Sequence, residues 1–164
     1  YIYMLTLYVF TLIAYVIIIT TADLATNKYY IKNTKKLNLS KKLKLILLLI
    51  IHNFIFYVQY FTIYFMLFNY KNISSIYILG YLFQSLYTML HWITNNRRCF
   101  LTDMMNDLLG IPREKRIAMR DPLAVLLNIH YENDGTGTLR DDLYWIYLIT
   151  VSAFCGTFLY IKQN

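Results

Sequence analysis

The first 21 residues contain no charged side chain, and the chain then repeats that pattern three more times. Charge-free apolar runs cover about residues 1–21, 45–69, 73–95 and most of 139–161, with the charges crowded between them. About 20 helical residues span the roughly 30 Å of hydrocarbon in a bilayer. This alternation constrains the fold class to all-α: a four-span transmembrane helical bundle, with a folded, helical loop between spans three and four. A cleaved signal peptide fits the first run poorly. No basic residue precedes it, and it is longer than a signal core. The whole chain, 1–164, reads as a single membrane domain.

Composition agrees. Charged residues make up 15% of the chain and hydrophobic ones 58%, with a mean hydropathy of +0.41, where a soluble domain carries roughly 25% charged residues. The net charge of +7 would suggest nucleic acid in a soluble protein. Here the basic residues sit in the connecting segments, as cytoplasmic loops of membrane proteins do, so no nucleic acid is expected. The partners expected are membrane lipids and other protein subunits of a larger assembly.

The segment 24–44 is a polar linker with seven lysines and no acid. Within it Lys35, Lys36, Lys41 and Lys42 are candidates to meet anionic lipid head groups, each basic residue near such a surface contributing about 1 kcal/mol. Asp23 should end the first span, and Ser40 could cap the second helix. Spans two and three are joined by a short link around 69–75, so they should form an antiparallel hairpin. Their polar residues recur at steps of three and four, which is one helix face. In span two the stripe is Asn53, Tyr57, Tyr60 and Tyr64, with His52 and Gln59 beside it. In span three it is Tyr77, Tyr81, Gln84, Thr88, His91 and Asn95. Lipid offers no hydrogen-bond partner, so the stripes are expected to face each other or a shared neighbour, with Gly80 permitting close approach. A turn centred between residues 71 and 72 brings His52 and His91 to similar depth. Such a pair more often makes helix contacts, but it could hold haem or another metal. No cofactor is expected.

The longest polar segment, 96–138, contains three short helix candidates. Thr102 can cap one ending at Gly110. Pro112 can open a basic one through Arg120. Asp121-Pro122 can start a third that runs to about Tyr131. Arg97, Arg98, Arg113, Lys115, Arg116 and Arg120 form a candidate docking surface for acidic partners or lipid. Asp103 and Asp107, one turn apart, read as a solvated face. The fourth span opens on Thr138 with Asp141, close to a capping box, with Tyr144 and Trp145 at interfacial depth. With four spans the two basic segments share one side, and both termini lie on the opposite side.

No glycine-rich phosphate loop, Cys-x-x-Cys pair or His-Glu-x-x-His helix occurs. No charge lies deep in a span, where pumps and ion-coupled carriers usually need one. These features argue against an enzyme. The two cysteines form no framework. Cys99 stands beside two arginines that favour its thiolate, which permits lipidation or redox chemistry without demanding either.

Residues 91–110 carry a motif: His91-Trp92, Asn95-Asn96, Cys99-x-Leu101-Thr102, then Asn106 and Gly110. It resembles one in small uncharacterised multi-pass membrane proteins of large DNA viruses. Its core is also similar to a bacterial membrane family whose motif reads Cys-Pro-Leu-Thr, although this chain has Phe100 where that family has Pro and Met105 where it has Glu. The viral resemblance implies a virion internal membrane beneath an icosahedral capsid, and a structural protein that anchors or scaffolds the shell. The abundance of Tyr, Phe, Ile, Asn and Lys over Gly and Pro matches AT-rich codons, which a large DNA virus or a mitochondrion would use. An accessory subunit of a mitochondrial inner-membrane complex is therefore the alternative of the same class. Within the motif, His91 and Asn95 continue the polar stripe, Arg97 and Arg98 mark the membrane boundary, and the stretch as a whole reads as the hinge that fixes the loop against the bundle.

Overall fold

The computed structural model describes residues 2–69, 71–94, 99–112, 116, 125–126 and 138–163. Its elements are α1 (Ile2–Thr26), α2 (Lys28–Thr34), α3 (Leu39–Asn69), α4 (Ser75–Thr94), α5 (Phe100–Leu108) and α6 (Thr138–Gln163). Among the described residues there is no strand. Two helices, α1 and α3, are long and apolar enough to cross a membrane. Their 25 and 31 residues correspond to about 37 and 46 Å of helix.

Helix α1 outruns the charge-free span that Asp23 closes in the sequence. The helix runs on to Thr26, because Asp23 is buried and Asn27 donates to its Oδ1 at 3.4 Å. The break falls at Asn27, whose backbone is extended (φ −76, ψ 108). Its Oδ1 accepts from the Tyr29 N–H at 3.0 Å and so caps α2. The linker expected between the first two spans is therefore largely helical. Asn38, not Ser40, caps α3: its Oδ1 accepts from the Lys41 N–H at 2.9 Å.

Helices α1 and α3 pack antiparallel, as their hydrogen bonds record. Tyr8 Oη meets Thr62 Oγ1 at 2.8 Å, Thr11 Oγ1 meets Tyr57 Oη at 2.6 Å, and Asn53 Nδ2 donates to Thr20 Oγ1 at 2.9 Å. Aromatic rings fill the space between these bonds, with Tyr15 against both Tyr57 and Phe61 and Tyr8 against Phe65. Tilted pairs of this kind suit the ring quadrupole. Each interhelical hydrogen bond contributes about 0.6 kcal/mol inside a membrane. Asn53→Leu is expected to lower thermal stability in detergent by about 0.6 to 1.7 kcal/mol. Thr20→Val added to it should cost little more, since the two side chains share one bond.

The turn after Asn69 closes on Asn69 itself, whose carbonyl accepts from Asn72 and Ile73. It returns the chain as α4, antiparallel to α3. Gln59 Nε2 donates to the buried Ser85 Oγ at 3.1 Å, and Tyr81 Oη donates to the Gln59 carbonyl. This register agrees with a turn centred between residues 71 and 72. Helix α6 packs along α4. Val151 and Cys155 join Ile78, Tyr81, Ile73 and Met66 in one core cluster near the turn, so the C-terminal half of α6 lies at that end. Gly80 corrects the sequence reading. A Cβ there would meet nothing within 4 Å, so no neighbouring helix approaches it. Gly80→Ala should stabilise α4 by about 0.5–1 kcal/mol through backbone entropy, measurable as a raised melting temperature.

Candidate functional site

The end of the bundle opposite the 71–74 turn carries a cap made of α2, the start of α3, and α5. Tyr30, Leu45, Leu49, Met105 and Leu109 form its buried core. These positions bring together three segments far apart in sequence. Tyr30 Oη points at Met105 Sδ, 4.0 Å away, and Ile111 packs from the end of α5. Over this core lies a basic surface. Lys28, Lys32, Lys35, Lys36, Lys41, Lys42 and Lys44 are all exposed. Lys28 sits over the Tyr29 ring at 5.3 Å, a cation–π contact.

Helix α5 is positioned from both ends. It starts at Phe100, two residues before the Thr102 cap expected from the sequence, because His91 supplies an acceptor. The Phe100 N–H donates to His91 Nε2 at 3.0 Å, and the two rings meet edge-on at 6.4 Å. Cys99 holds the cap position with extended backbone and no side-chain bond. Thr102 lies inside the helix, its carbonyl accepting from the buried Asn106 side chain. At the other end Gly110 takes φ +67, as the sequence anticipated. Its N–H bonds to the Asp107 carbonyl and the Ile111 N–H to that of Asn106. This double closure of a helix C-terminus needs a residue without Cβ strain.

Of the six basic residues expected on the docking surface, Arg116 is the one that the structure describes. Its Nη1 lies 2.6 Å from Asp103 Oδ1, and its Nη2 bonds to Asp107. With its side chain 12% exposed, it is committed to the chain's own α5. Asp103 and Asp107, read from sequence as a solvated pair, are thus bridged by one guanidinium that offsets one of their two charges, Asp107 staying largely exposed. No periodic signal could show this, because the arginine lies beyond the helix. Arg97, Arg98, Arg113, Lys115 and Arg120 lie outside the described residues, as do Asn95 and most of the two later helix candidates of the loop. Of the third candidate, Val125 and Leu126 are described; they are helical, Val125 buried and Leu126 exposed.

The polar stripes divide between two neighbours. Asn53 and Tyr57 turn toward α1, Tyr60 stacks on Phe56 of its own helix, and Tyr64 is exposed. On α4, Tyr81 is buried against α3, Gln84, Thr88 and His91 are half-buried, and Tyr77 is exposed. Ser85, absent from the stripe, and Gln59, set beside it, make the α3–α4 side-chain bond. The signal for Ser85 was its four-residue spacing from Tyr81. His52 stacks near Phe56 at 5.7 Å, while the Nε2 of His91 is engaged by Phe100. Among the described residues no group of three or more His, Cys, Asp or Glu is arranged to hold a metal ion. Cys99 is half-buried, Cys155 is buried among the cluster near the turn, and neither is in a disulfide.

Comparison with known families, with curated proteins and with solved structures finds no match to this chain.

Proposed function

We propose that the chain is a non-enzymatic, four-span membrane protein that serves as a structural subunit of a larger assembly. The observation that carries this reading is the apolar surface left uncovered. Only 6% of the most apolar window of α1 is buried within the chain. Phe10, Ile17, Phe54, Phe83 and Ile149 are among the large side chains exposed along the four long helices. Soluble monomers rarely leave such continuous apolar surface in water. A bilayer covers it without cost. In this reading α4 and α6 cross the membrane with α1 and α3, and the basic cap faces the cytoplasm or its equivalent. The seven lysines of 24–44 and the six basic residues of 96–138 on one side, against Lys71 and Lys162 on the other, support that orientation. Both termini then lie on the far side.

The assembly proposed first is the internal membrane of a large DNA virus, where the protein would anchor or scaffold the capsid. The 91–110 motif and the AT-rich codon signature support that choice. The docking surface would be the segment 96–138. Because Arg116 is held within the chain, Arg97, Arg98, Arg113, Lys115 and Arg120 are the residues to test. Charge reversal of these five, with Arg116 kept, should abolish co-purification of partner subunits in mild detergent while the protein still resists alkaline extraction from membranes. Unchanged co-purification would remove the docking role. Release by alkaline extraction of the unmodified chain would remove the membrane role.

A further inference from the structure

Four side-chain amides lie within α3 and α4, and three of them are held inside the chain. Asn53 donates to Thr20 Oγ1 at 2.9 Å, Gln59 to Ser85 Oγ at 3.1 Å, and Asn69 to the Phe65 carbonyl at 3.0 Å. Gln84 is the fourth. It is half-buried, and among the described residues its carboxamide makes no hydrogen bond. The Thr88 hydroxyl, one turn on, donates instead to the Gln84 backbone carbonyl at 2.9 Å. Gln84 is the tenth of the 20 residues of α4, about 14 Å from either end. In a hydrocarbon core roughly 30 Å thick that is the midplane. Lipid offers an amide no partner there, and the side chain is too short to reach the head groups. The face around it is bare. Tyr77, Phe83 and Tyr87 are exposed at 65%, 70% and 71%. Gly80, one turn before Gln84 and about 40° round the helix from it, has nothing within 4 Å of where a Cβ would stand.

We infer that this face of α4 is the contact between two copies of the chain, related by a two-fold axis along the membrane normal, with Gln84 paired to Gln84 across it. The inference rests on the membrane reading above and names one contact of the proposed assembly. Two properties select a second copy as the occupant. A carboxamide carries both donors and an acceptor, so it is complementary to itself. Each Nε2 donates to the Oε1 of the other, and two bonds close the pair. A two-fold contact also sets a residue on the axis against its own copy. A second chain of the same topology therefore brings its amide to the same depth, whereas an unrelated helix would have to carry a polar group at its own midplane. Gly80 admits the second backbone. Small residues let membrane helices approach closely, and Gln side chains bond across such contacts. An acyl chain would fill the notch at Gly80 but leave the amide unpaired, at the cost of an unsatisfied polar group in hydrocarbon.

The test is Förster transfer between donor-labelled and acceptor-labelled copies of the full chain in phosphatidylcholine vesicles, followed as added lipid dilutes the protein. Transfer should persist at dilutions where randomly spread chains give none. Gln84→Leu should weaken association about tenfold, the loss of two interhelical bonds. Gln84→Asn keeps an amide and should retain most of the association. Gly80→Leu meets open space in the single chain but blocks the approach of a second, so it should weaken association as well. Circular dichroism should show the same helix content in all three variants, because none removes a side-chain bond inside the chain. Transfer no greater than random, or transfer that survives Gln84→Leu, would overturn the proposal, as would a Gln84-dependent contact with a different protein in place of the second copy. Partition of the unmodified chain between detergent and aqueous phases separates the premises. Recovery in the detergent phase without self-association defeats this contact alone, whereas recovery in the aqueous phase defeats the membrane reading and the contact with it.

Discussion

Tyr30→Ala is expected to destabilise the basic cap by about 3–5 kcal/mol, the usual cost of truncating a fully buried aromatic side chain to Ala. Tyr30 is 2% exposed and lies among Leu45, Leu49 and Met105. It is the residue through which the seven-residue α2 holds to α3 and α5. So short a helix has little stability of its own. Removing the ring should therefore release both short helices while leaving the contact between α1 and α3 in place. A loss of 3 kcal/mol raises the open population about a hundredfold. Limited proteolysis between Lys28 and Lys44 should accelerate accordingly, with little change in total helix content by circular dichroism. Tyr30→Phe keeps the ring and loses only the weak contact of its hydroxyl with Met105 Sδ, so it should cost under about 1 kcal/mol. If the two variants behaved alike, ring burial would not be what holds the cap.

Arg116→Ala carries the second large effect. It removes the one cation that bridges Asp103 and Asp107, leaving two like charges one helical turn apart to repel. Asp103 is the more buried of the two carboxylates, at 20% against 64% exposure of the side chain. The loss should therefore come mainly through it and amount to about 2 kcal/mol, in the range for hydrogen bonds to charged groups. Asp103→Asn should reproduce much of the effect, whereas Asp107→Asn should cost less than about 1 kcal/mol, as exposed pairs do. Hydrogen exchange of the α5 amides reads the difference directly. Protection of Met105 and Asn106 should fall in Arg116→Ala and hold in Asp107→Asn.

Periodicity and charge made much of the helical framework legible. The end of α3 at Asn69, the hairpin that follows, and helical character over 139–161 all follow from apolar runs bounded by polar residues. The Gly110 terminus was equally legible, because few other residues adopt positive φ without strain. What periodicity cannot supply is the identity of a neighbour. The stripe of Asn53 and Tyr57 specifies how α3 is rotated, but the same stripe would serve a contact with α1 or with α4. Asn53 finding Thr20 decided it. The α2 helix was hidden for a related reason. Its lysines dominate the composition of 24–44, and Tyr30, the one side chain buried in α2, gives no repeat to detect. The His91–Phe100 bond and the Arg116 bridge both span a break between elements, where no repeat exists. His91 was read as a stripe residue and a possible ligand. Its position at the end of α4 makes it the acceptor that starts α5.

The central claim is that the chain crosses a membrane four times, with the basic cap on one side and the 71–74 turn and both termini on the other. Single-cysteine labelling tests it directly. In a chain with Cys99→Ser and Cys155→Ala, cysteines are introduced one at a time at Lys36, Asp107, Asn72 and Lys162, all outside the apolar stretches of the helices. Sealed vesicles are then treated with a membrane-impermeant maleimide. The account predicts that Lys36 and Asp107 label from one side together, and that Asn72 and Lys162 label only from the other. Labelling of Lys36 and Asp107 from opposite sides, or of all four positions from the same side, would contradict it.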